Sequence, residues 1–505
     1  MKGNWCWRES ISLEFFSALS NETDQEALLA LQNLITSPNN FLANNWTKTT
    51  SFCSWFGVTC SLKRPRVVAL ALPNLQLQGT ISPSLANLSF LREPNLKNNL
   101  FHGGIPYGLG HLPRLRVIDI QNNQLKGNIP TSVFQHRRVQ KISLAFNEFS
   151  GEMWKGPRYV PELKILSLRN NSLKGIIPPS VGNATKLMNF GLTGNRISGN
   201  LPNKFGNMSQ LAFLSLIDNQ LTGSIPAALF NISSLVGMSV SLNSLSGPLL
   251  LDEGNIVSNL ETYSSNSRSY FNISSLKYIG FNLNNLSGRI PTTTGFHLPN
   301  LISLVLGGNQ LEGEIPLFIT NASNLKILDL AGNFLTGTIP TNLGNLHELQ
   351  RLLLHSNQLT NEPTEHELRL FNSLVDCRML RYLQVGSNPL NGVLPNSIGN
   401  VSSTIEILYI GDTHLNGLIP QRFLGKFVGV EDHIEGQVYA TMDKKMYEHT
   451  IVHCSKDIEE VEWDFLDFGE KNLVASGYVD LICMLRIEAD STGGLDLSNF
   501  DLALA

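Results

Sequence analysis

The chain is short of charge: only 15% of its 505 residues are Asp, Glu, Lys or Arg, and the formal net charge is -4. So weak a balance offers no basic field for nucleic acid or an anionic membrane surface, and neither is expected as a partner. Cysteine is also scarce. Of six, only Cys53 and Cys60 stand close together, in 53-CSWFGVTC-60, so a densely cross-linked small-domain framework is excluded. Long apolar runs are missing as well; the best late candidate, 473-LVASGYVDLICML-485, is short and carries Asp480. No transmembrane helix is expected in this chain. It has no Gly-x-Ser-x-Gly elbow, phosphate-binding loop or intact dinucleotide fingerprint. Catalytic residues, cofactors and enzyme activity are therefore not expected.

Glycine, in contrast, keeps strict time. Gly79, Gly103, Gly127, Gly151, Gly175, Gly199, Gly223 and Gly247 follow one another at a step of 24 residues across eight copies. A fixed period of that length marks a solenoid. In the unit 163-LKILSLRNNSLKGIIPPSVGNATK-186, Leu166 and Leu168 alternate as on a short strand, and Asn171, Leu173, Gly175 and Ile177-Pro178 follow at fixed offsets. One unit cannot bury its own leucines, so the copies must stack. The expected class is α/β: a curved superhelix with a parallel β-sheet on its concave face. The Asn recurring at Asn99, Asn123, Asn147, Asn171 and onward sits where the chain turns inward. Its buried amide is expected to find backbone partners in adjoining coils.

Four segments follow from this pattern. Residues 1–20 have a basic start and only a short apolar stretch, interrupted by Glu14, which makes a weak or degenerate signal segment. Residues 21–66 read as a helical N-terminal cap, because 24-DQEALLALQNLI-35 has helical apolar spacing and Trp46, Trp55 and the cysteine pair follow. Cys53 and Cys60 are expected as a disulfide there, two reduced thiols in a cytosolic loop being the alternative. Repeats then run over 67–420, with further landmarks at Gly288, Gly313, Gly337, Gly392 and Gly417 and with Asn361 in one glycine position. Residues 421–505 form a divergent acidic tail of 17 Asp/Glu against 7 Lys/Arg, which leaves the repeats mildly basic. Within the tail, His449, His453 and Cys454 lack a zinc-protease pattern, so no metal site is expected.

Three places interrupt the rhythm. The step from Gly247 to Gly288 is 41, and 259-NLETYSSNSRSYFNISSL-276 reads as a copy that has lost residues. Pro94 stands where a strand wants leucine and removes a ladder donor, so local weakening is expected. From Asn361 to Gly392 the step is 31, and 360–377 looks like a longer helical turn. Eleven Asn-x-Ser/Thr sequons, at Asn21, Asn45, Asn87, Asn170, Asn183, Asn207, Asn231, Asn272, Asn285, Asn321 and Asn400, suit a secreted glycoprotein. An Asn- and Ser-rich repeat also generates sequons by composition alone. The basic pair Arg137-Arg138 and the run 63-KRPR-66 read as solvated turn or strand-edge charges.

The unit LxxLxLxxNxLxGxIPxxLxxL, with Ile-Pro after the glycine as in 225-IP-226 and 339-IP-340, resembles the plant-specific leucine-rich repeat. The segments 23-TDQEALLALQNLI-35 and 53-CSWFGVTC-60 resemble the N-terminal cap of plant leucine-rich repeat receptor-like serine/threonine kinases. Phrases such as 387-SNPLNGVLPNSIGNVS-402 are similar to the subfamily that senses bacterial flagellin and elongation factor. The resemblance implies an extracellular or cell-surface ectodomain, at the plasma membrane in the family, that recognises a peptide or protein in plant immune or developmental signalling. It also implies a shorter leucine-rich repeat coreceptor as a second partner. In the family a C-terminal cap, a transmembrane helix and a kinase follow; here the array stops at Pro420, as in a truncated ectodomain. The fragments 436-GQVY-439, 451-IVHC-454 and 467-DFG-469 resemble kinase motifs in kinase order. Ser455 stands where the catalytic Asp would be and no strand lysine lies between the motifs, so phosphoryl transfer has no machinery. The tail reads as a kinase remnant or as sequence from a misassigned exon or intron.

Side chains that alternate with the buried leucines should face the concavity, where binding chemistry can reside. The candidate ligand-binding residues are Lys141, Phe146, Arg169, Phe213, Asp218, Tyr278, Asn282, Arg351, His355 and Tyr382. Lys141, Arg169 and Arg351 would meet acidic groups of a peptide lying along the groove. Two other functions compete with receptor-type recognition: a soluble inhibitor or decoy of a pathogen enzyme, and a truncated product without a function of its own.

Overall fold

The computed structural model describes residues 22–153, 160–249, 251, 274–363, 365–416 and 439–441. The chain divides into two compact units, one up to Leu221 and one from Thr222 onward, both built of the same three-sided coil. In one such coil the sides are a strand at Ile165–Ser167, a second strand at Ser172–Ile176 and a 3-10 turn at Pro179–Asn183. Leu166 and Leu168 point inward and are at most 1% exposed. Gly175 closes the second strand at φ 90°, a left-handed conformation that glycine adopts without a Cβ clash, which explains the 24-residue beat. The Ile-Pro pair begins the third side. Pro178 has its φ set by its ring, its carbonyl accepts from the Val181 N–H at 2.9 Å, and Ile177 is buried.

The ladder asparagine ties coils together as expected. The Asn171 amide donates to the carbonyls of Leu144, Leu168 and Arg169 at 3.0–3.1 Å, and its Oδ1 accepts from the Phe149 N–H at 3.0 Å. Two of these four partners, Leu144 and Phe149, belong to the preceding coil. The residue just before each ladder asparagine carries positive φ, as at Asn98, Asn122, Gly194, Leu283 and Gly332.

In the first unit the parallel ladder runs from Ala69–Ala71 through Glu93–Asn95, Val117–Asp119, Lys141–Ser143, Ile165–Ser167 and Asn189–Gly191 to Phe213–Ser215. In the second it runs from Gly237–Ser239 through Tyr278–Gly280, Ser303–Val305, Ile327–Asp329, Arg351–Leu353 and Tyr382–Gln384 to Ile407–Tyr409. A second parallel ladder, not foreseen from the sequence, contains the glycines: Gln78–Thr80 to Arg196–Asn200 in the first unit and Ser244–Pro248 to Phe334–Leu335 in the second.

The cap contains the expected helix, over 22–32, and the Cys53–Cys60 disulfide, with Cα atoms 5.5 Å apart. It also adds two strands that the sequence pattern did not reveal. Val58–Ser61 pairs antiparallel with Arg64–Ala71, and Ile35–Thr36 pairs antiparallel with Gln78–Thr80, so one cap strand covers the edge of each ladder. Gly79 is required there, because a Cβ would run into the Leu34 carbonyl. Asp24, fully buried, accepts from Arg66 Nε at 3.0 Å, Arg66 Nη2 at 2.9 Å and the Val67 N–H at 2.8 Å, locking the helix to the first coil.

The three interruptions resolve differently. Pro94 is accommodated and buried, but the strand it interrupts keeps only the Asn95↔Asp119 pair with the next coil, where later neighbours keep three. Around the long step after Gly247, Gly237–Ser239 pairs directly with Tyr278–Gly280 in the ladder, and most of the segment 259–276 read as a shortened copy falls outside the described residues. Residues 252–273 lie outside the described residues. The long step after Asn361 does contain a helix, Arg369–Ser373. Asn361 itself is no glycine surrogate, since its φ is not positive; its amide instead donates to the carbonyls of Glu365 and Glu367. Of the tail, only the strand Tyr439–Thr441 is described, parallel to Ile407–Tyr409. The signal segment, most of the tail and its kinase-like fragments, Gly417, Asn21 and Asn272 lie outside the described residues.

Candidate ligand-recognition face

Each strand of the first ladder buries its central residue; the residue before it is half-buried in most coils, and the residue after it is half-buried in Ile327–Asp329, Arg351–Leu353, Tyr382–Gln384 and Ile407–Tyr409 but buried in coils such as Lys141–Ser143 and Phe213–Ser215. Parallel in-register pairing then lines up equivalent positions from successive coils. In the first unit one row is Lys141, Ile165, Asn189 and Phe213. In the second unit the row is Tyr278, Ser303, Ile327, Arg351, Tyr382 and Ile407. Lys141, Phe213, Tyr278, Arg351 and Tyr382 therefore occupy the positions expected of them, all half-buried.

Arg351 and Tyr382 are brought into contact, with the guanidinium carbon 4.2 Å from the ring centroid, a cation–π geometry. His355 meets Tyr409 edge to face at 6.0 Å, and the Tyr409 hydroxyl lies 2.8 Å from the Ser387 hydroxyl. Glycine makes this packing possible: a Cβ on Gly386 would run into the Tyr409 ring. Two groups here have displaced proton affinities. Burial lowers His355 to about 4, so its ring is neutral near pH 7, and its Nδ1 is buried without a hydrogen-bond partner. Burial raises Asp329 to about 6, against the opposing pull of the Ala331 N–H and the Arg351 charge. The Tyr382 and Tyr409 phenols are raised as well, chiefly by burial, and stay protonated. The result is a cluster of a cation, a carboxyl group, a neutral imidazole and two phenols on neighbouring coils.

The other candidates fare unevenly. Lys141 is not free for a ligand: its Nζ lies 3.2 Å from Asp119 Oδ2. Arg169 lies over Gly191, where an added Cβ would sit 3.2 Å from its Cγ. Asn282 accepts a short hydrogen bond from the Ser241 hydroxyl. Phe146 and Asp218 require correction. They do not alternate on the strand but occupy the turn immediately before a ladder asparagine, both with φ 54° and both exposed. Asp119, Asp329 and Tyr409, which reasoning from sequence omitted, do belong to the strand face, as does Gln384. Their signal was the position two residues after the first row, between the two inward leucines. The nine described sequon asparagines, Asn45, Asn87, Asn170, Asn183, Asn207, Asn231, Asn285, Asn321 and Asn400, are all exposed. Among the described residues no cluster of His, Cys, Asp and Glu could hold a metal ion, and no helix is long and apolar enough to cross a membrane.

Residues 21–61 match the leucine rich repeat N-terminal domain, and residues 114–135, 162–184, 324–346 and 379–401 match the leucine rich repeat. The LRR receptor-like serine/threonine-protein kinase EFR of Arabidopsis thaliana is 45% identical over 98 residues, 19% of this chain and 10% of that protein. The chain is a leucine-rich repeat protein homologous to plant receptor-like kinases. The matched stretch spans about a tenth of the length of such relatives. The leucine-rich repeat fold is shared with the plant peptide hormone receptor RGFR1 in complex with RGF2, at a TM-score of 0.56 and 24% identity over 72% of this chain and 61% of that one. It is shared also with the Arabidopsis receptor kinase HAESA in complex with the peptide hormone IDA and the co-receptor SERK1, at a TM-score of 0.50 and 22% identity over 83% and 82%.

Proposed function

We propose that the strand face of this leucine-rich repeat chain binds a peptide or protein ligand as a receptor-type ectodomain, at the cell surface, in plant immune or developmental signalling. The observation that carries the reading is the cluster of Arg351, Tyr382, His355, Tyr409 and Asp329, aromatic and charged side chains contributed by successive coils. Arg and Tyr are anchor types for peptide contacts, and a half-buried carboxylate beside a guanidinium offers both signs of charge to one ligand. The chain acts by recognition and performs no chemistry of its own. A shorter leucine-rich repeat coreceptor would be the second partner, as SERK1 is for HAESA. N-glycans at the exposed sequons fit an extracellular setting.

The test is to pan the secreted chain against a displayed random peptide library and to remeasure enriched peptides on two variants. Arg351→Ala with Tyr382→Ala should weaken them by about 2 kcal/mol, roughly thirtyfold. Peptides that bind this variant as well as the parent would refute the assignment of the site. Lys174→Ala, on an exposed side chain of the second ladder, should leave them unchanged.

A further inference from the structure

In the first unit a cavity of about 370 Å³ opens on the side of the 3-10 turns, away from the strand residues considered above. Its walls are the turns Tyr107–His111 and Thr131–Gln135 and the segment that follows. The charged and polar side chains lining it include His111, Gln135, His136, Arg137 and Arg138, and among the described residues no carboxylate lines it. The two arginines are exposed, yet the backbone that presents them is fixed. His136 is buried, and its Nδ1 accepts from the Arg138 and Val139 N–H groups, both at 3.1 Å. Its proton must then sit on Nε2, which donates to the Leu112 carbonyl at 2.7 Å. The imidazole is thus a neutral strut, tying the Arg137-Arg138 backbone to the preceding coil. The facing turns are held as closely: the Ser132 hydroxyl donates to the Tyr107 carbonyl at 2.9 Å, and Gly110 has no room for a Cβ.

A second observation concerns the same two turns. In this unit the turns ending at Asn87, Asn183 and Asn207 each place a sequon asparagine at their last, exposed position. The turns that wall the cavity end instead in His111 and Gln135, and neither begins a sequon. The row of glycan acceptors is interrupted where the cavity opens. At its rim Tyr107 is 61% exposed and packs on the His111 ring at 4.9 Å.

We propose that this cleft docks an acidic segment of a partner protein, whose carboxylates meet Arg137 and Arg138 while Tyr107 supplies the apolar contact. Guanidinium groups match carboxylates two bonds at a time, and Arg and Tyr are the side chains that dominate protein interfaces. A protein partner suits a rim without carbohydrate, because a glycan at that position would block a broad surface. The inference is independent of the strand face and survives if that face binds nothing.

The probe is a fluorescein-labelled octaglutamate peptide, titrated against the secreted full chain by fluorescence anisotropy. Arg137→Gln with Arg138→Gln should weaken binding at least tenfold, whereas Arg196→Gln with Lys204→Gln, the same change of charge at exposed sites elsewhere in the unit, should not. A third variant, His111→Asn with Pro113→Thr, installs at the cavity the sequon pattern found at Asn87 and leaves both arginines in place. Its glycosylated form should lose the peptide, and trimming the glycan should restore it. Equal loss in the two charge-removal variants would overturn the proposal, and so would no binding to the parent chain. Displacement of the peptide by an equal concentration of inorganic phosphate would also overturn it, by making the cleft a free-anion site.

Discussion

At the scale of single residues, the side chain that does most for the fold is an uncharged amide. Asn309 donates to the carbonyls of Phe281, Leu306 and Gly307 and accepts from the Leu286 N–H at 3.0 Å, all within the coil stack. Asn309→Ala would strand these groups, so urea unfolding should show a loss of about 2–4 kcal/mol, more than a surface Asn→Ala change gives. The opposed pair on the strand face makes a sharper prediction. Asp329 is raised from 3.8 to about 6, so its contribution favours the folded state at low pH and is lost as pH rises from 3.8 through 6. His355 is lowered from 6.5 to about 4, so the folded state loses stability as pH falls through that window. Asp329→Asn should match the parent near pH 3 and exceed it by about 1 kcal/mol near pH 7, after allowance for the partial exposure of the carboxyl. Equal melting temperatures at both pH values would refute this. The inward leucines and the ladder asparagines were legible from spacing alone, because each repeats its environment from coil to coil. Asp329 and Tyr409 were not, since what distinguishes them is a glycine, Gly307 or Gly386, one coil away that gives their side chains room.

At the scale of elements, Pro94 marks the weak point of the first ladder. It occupies the buried central position of a strand that pairs through three residues on one side and one on the other. Pro94→Leu would restore a donor and a leucine where the repeat has one, and should raise stability by about 1 kcal/mol with slower amide exchange around Val117–Asp119. A lower melting temperature would mean that the pocket around Pro94 has adapted to the ring. The second ladder shows why elements were harder to read than residues. Strands such as Gln220–Gly223 bury one leucine and end in glycine, too short for any periodicity to register. They form because the ladder asparagine fixes the turn ahead of them and hydrogen-bonds the backbone of the preceding coil's second strand. The direct pairing of Gly237–Ser239 with Tyr278–Gly280 was hidden for a related reason: spacing counts residues along the chain, whereas pairing depends on which strands meet.

At the scale of the molecule, edges and exposure matter most. A stack of parallel strands leaves an open edge, and the cap closes both ladders with one antiparallel strand each, held by the Cys53–Cys60 bridge and the buried Asp24–Arg66 pair. Reduction of the bridge should lower the stability of the first unit by about 2–3 kcal/mol, seen as an earlier unfolding transition with and without reductant. When the chain is expressed in plant cells, endoglycosidase treatment should increase its gel mobility if the nine exposed sequons lie on a secreted protein. Unchanged mobility would remove the basis for a cell-surface role.

The sequence by itself determined the coil: its 24-residue length, its inward leucines, its amide ladder and its cap disulfide follow from side chains whose surroundings recur every turn. Only the tertiary structure decided which outward side chains meet. Arg351 reaches Tyr382 across a gap of 31 residues, and Arg138 is held at a cleft by a histidine bonded to the coil before it. Such contacts depend on the register of one coil against the next and on where a glycine leaves space, and neither is visible along a single chain.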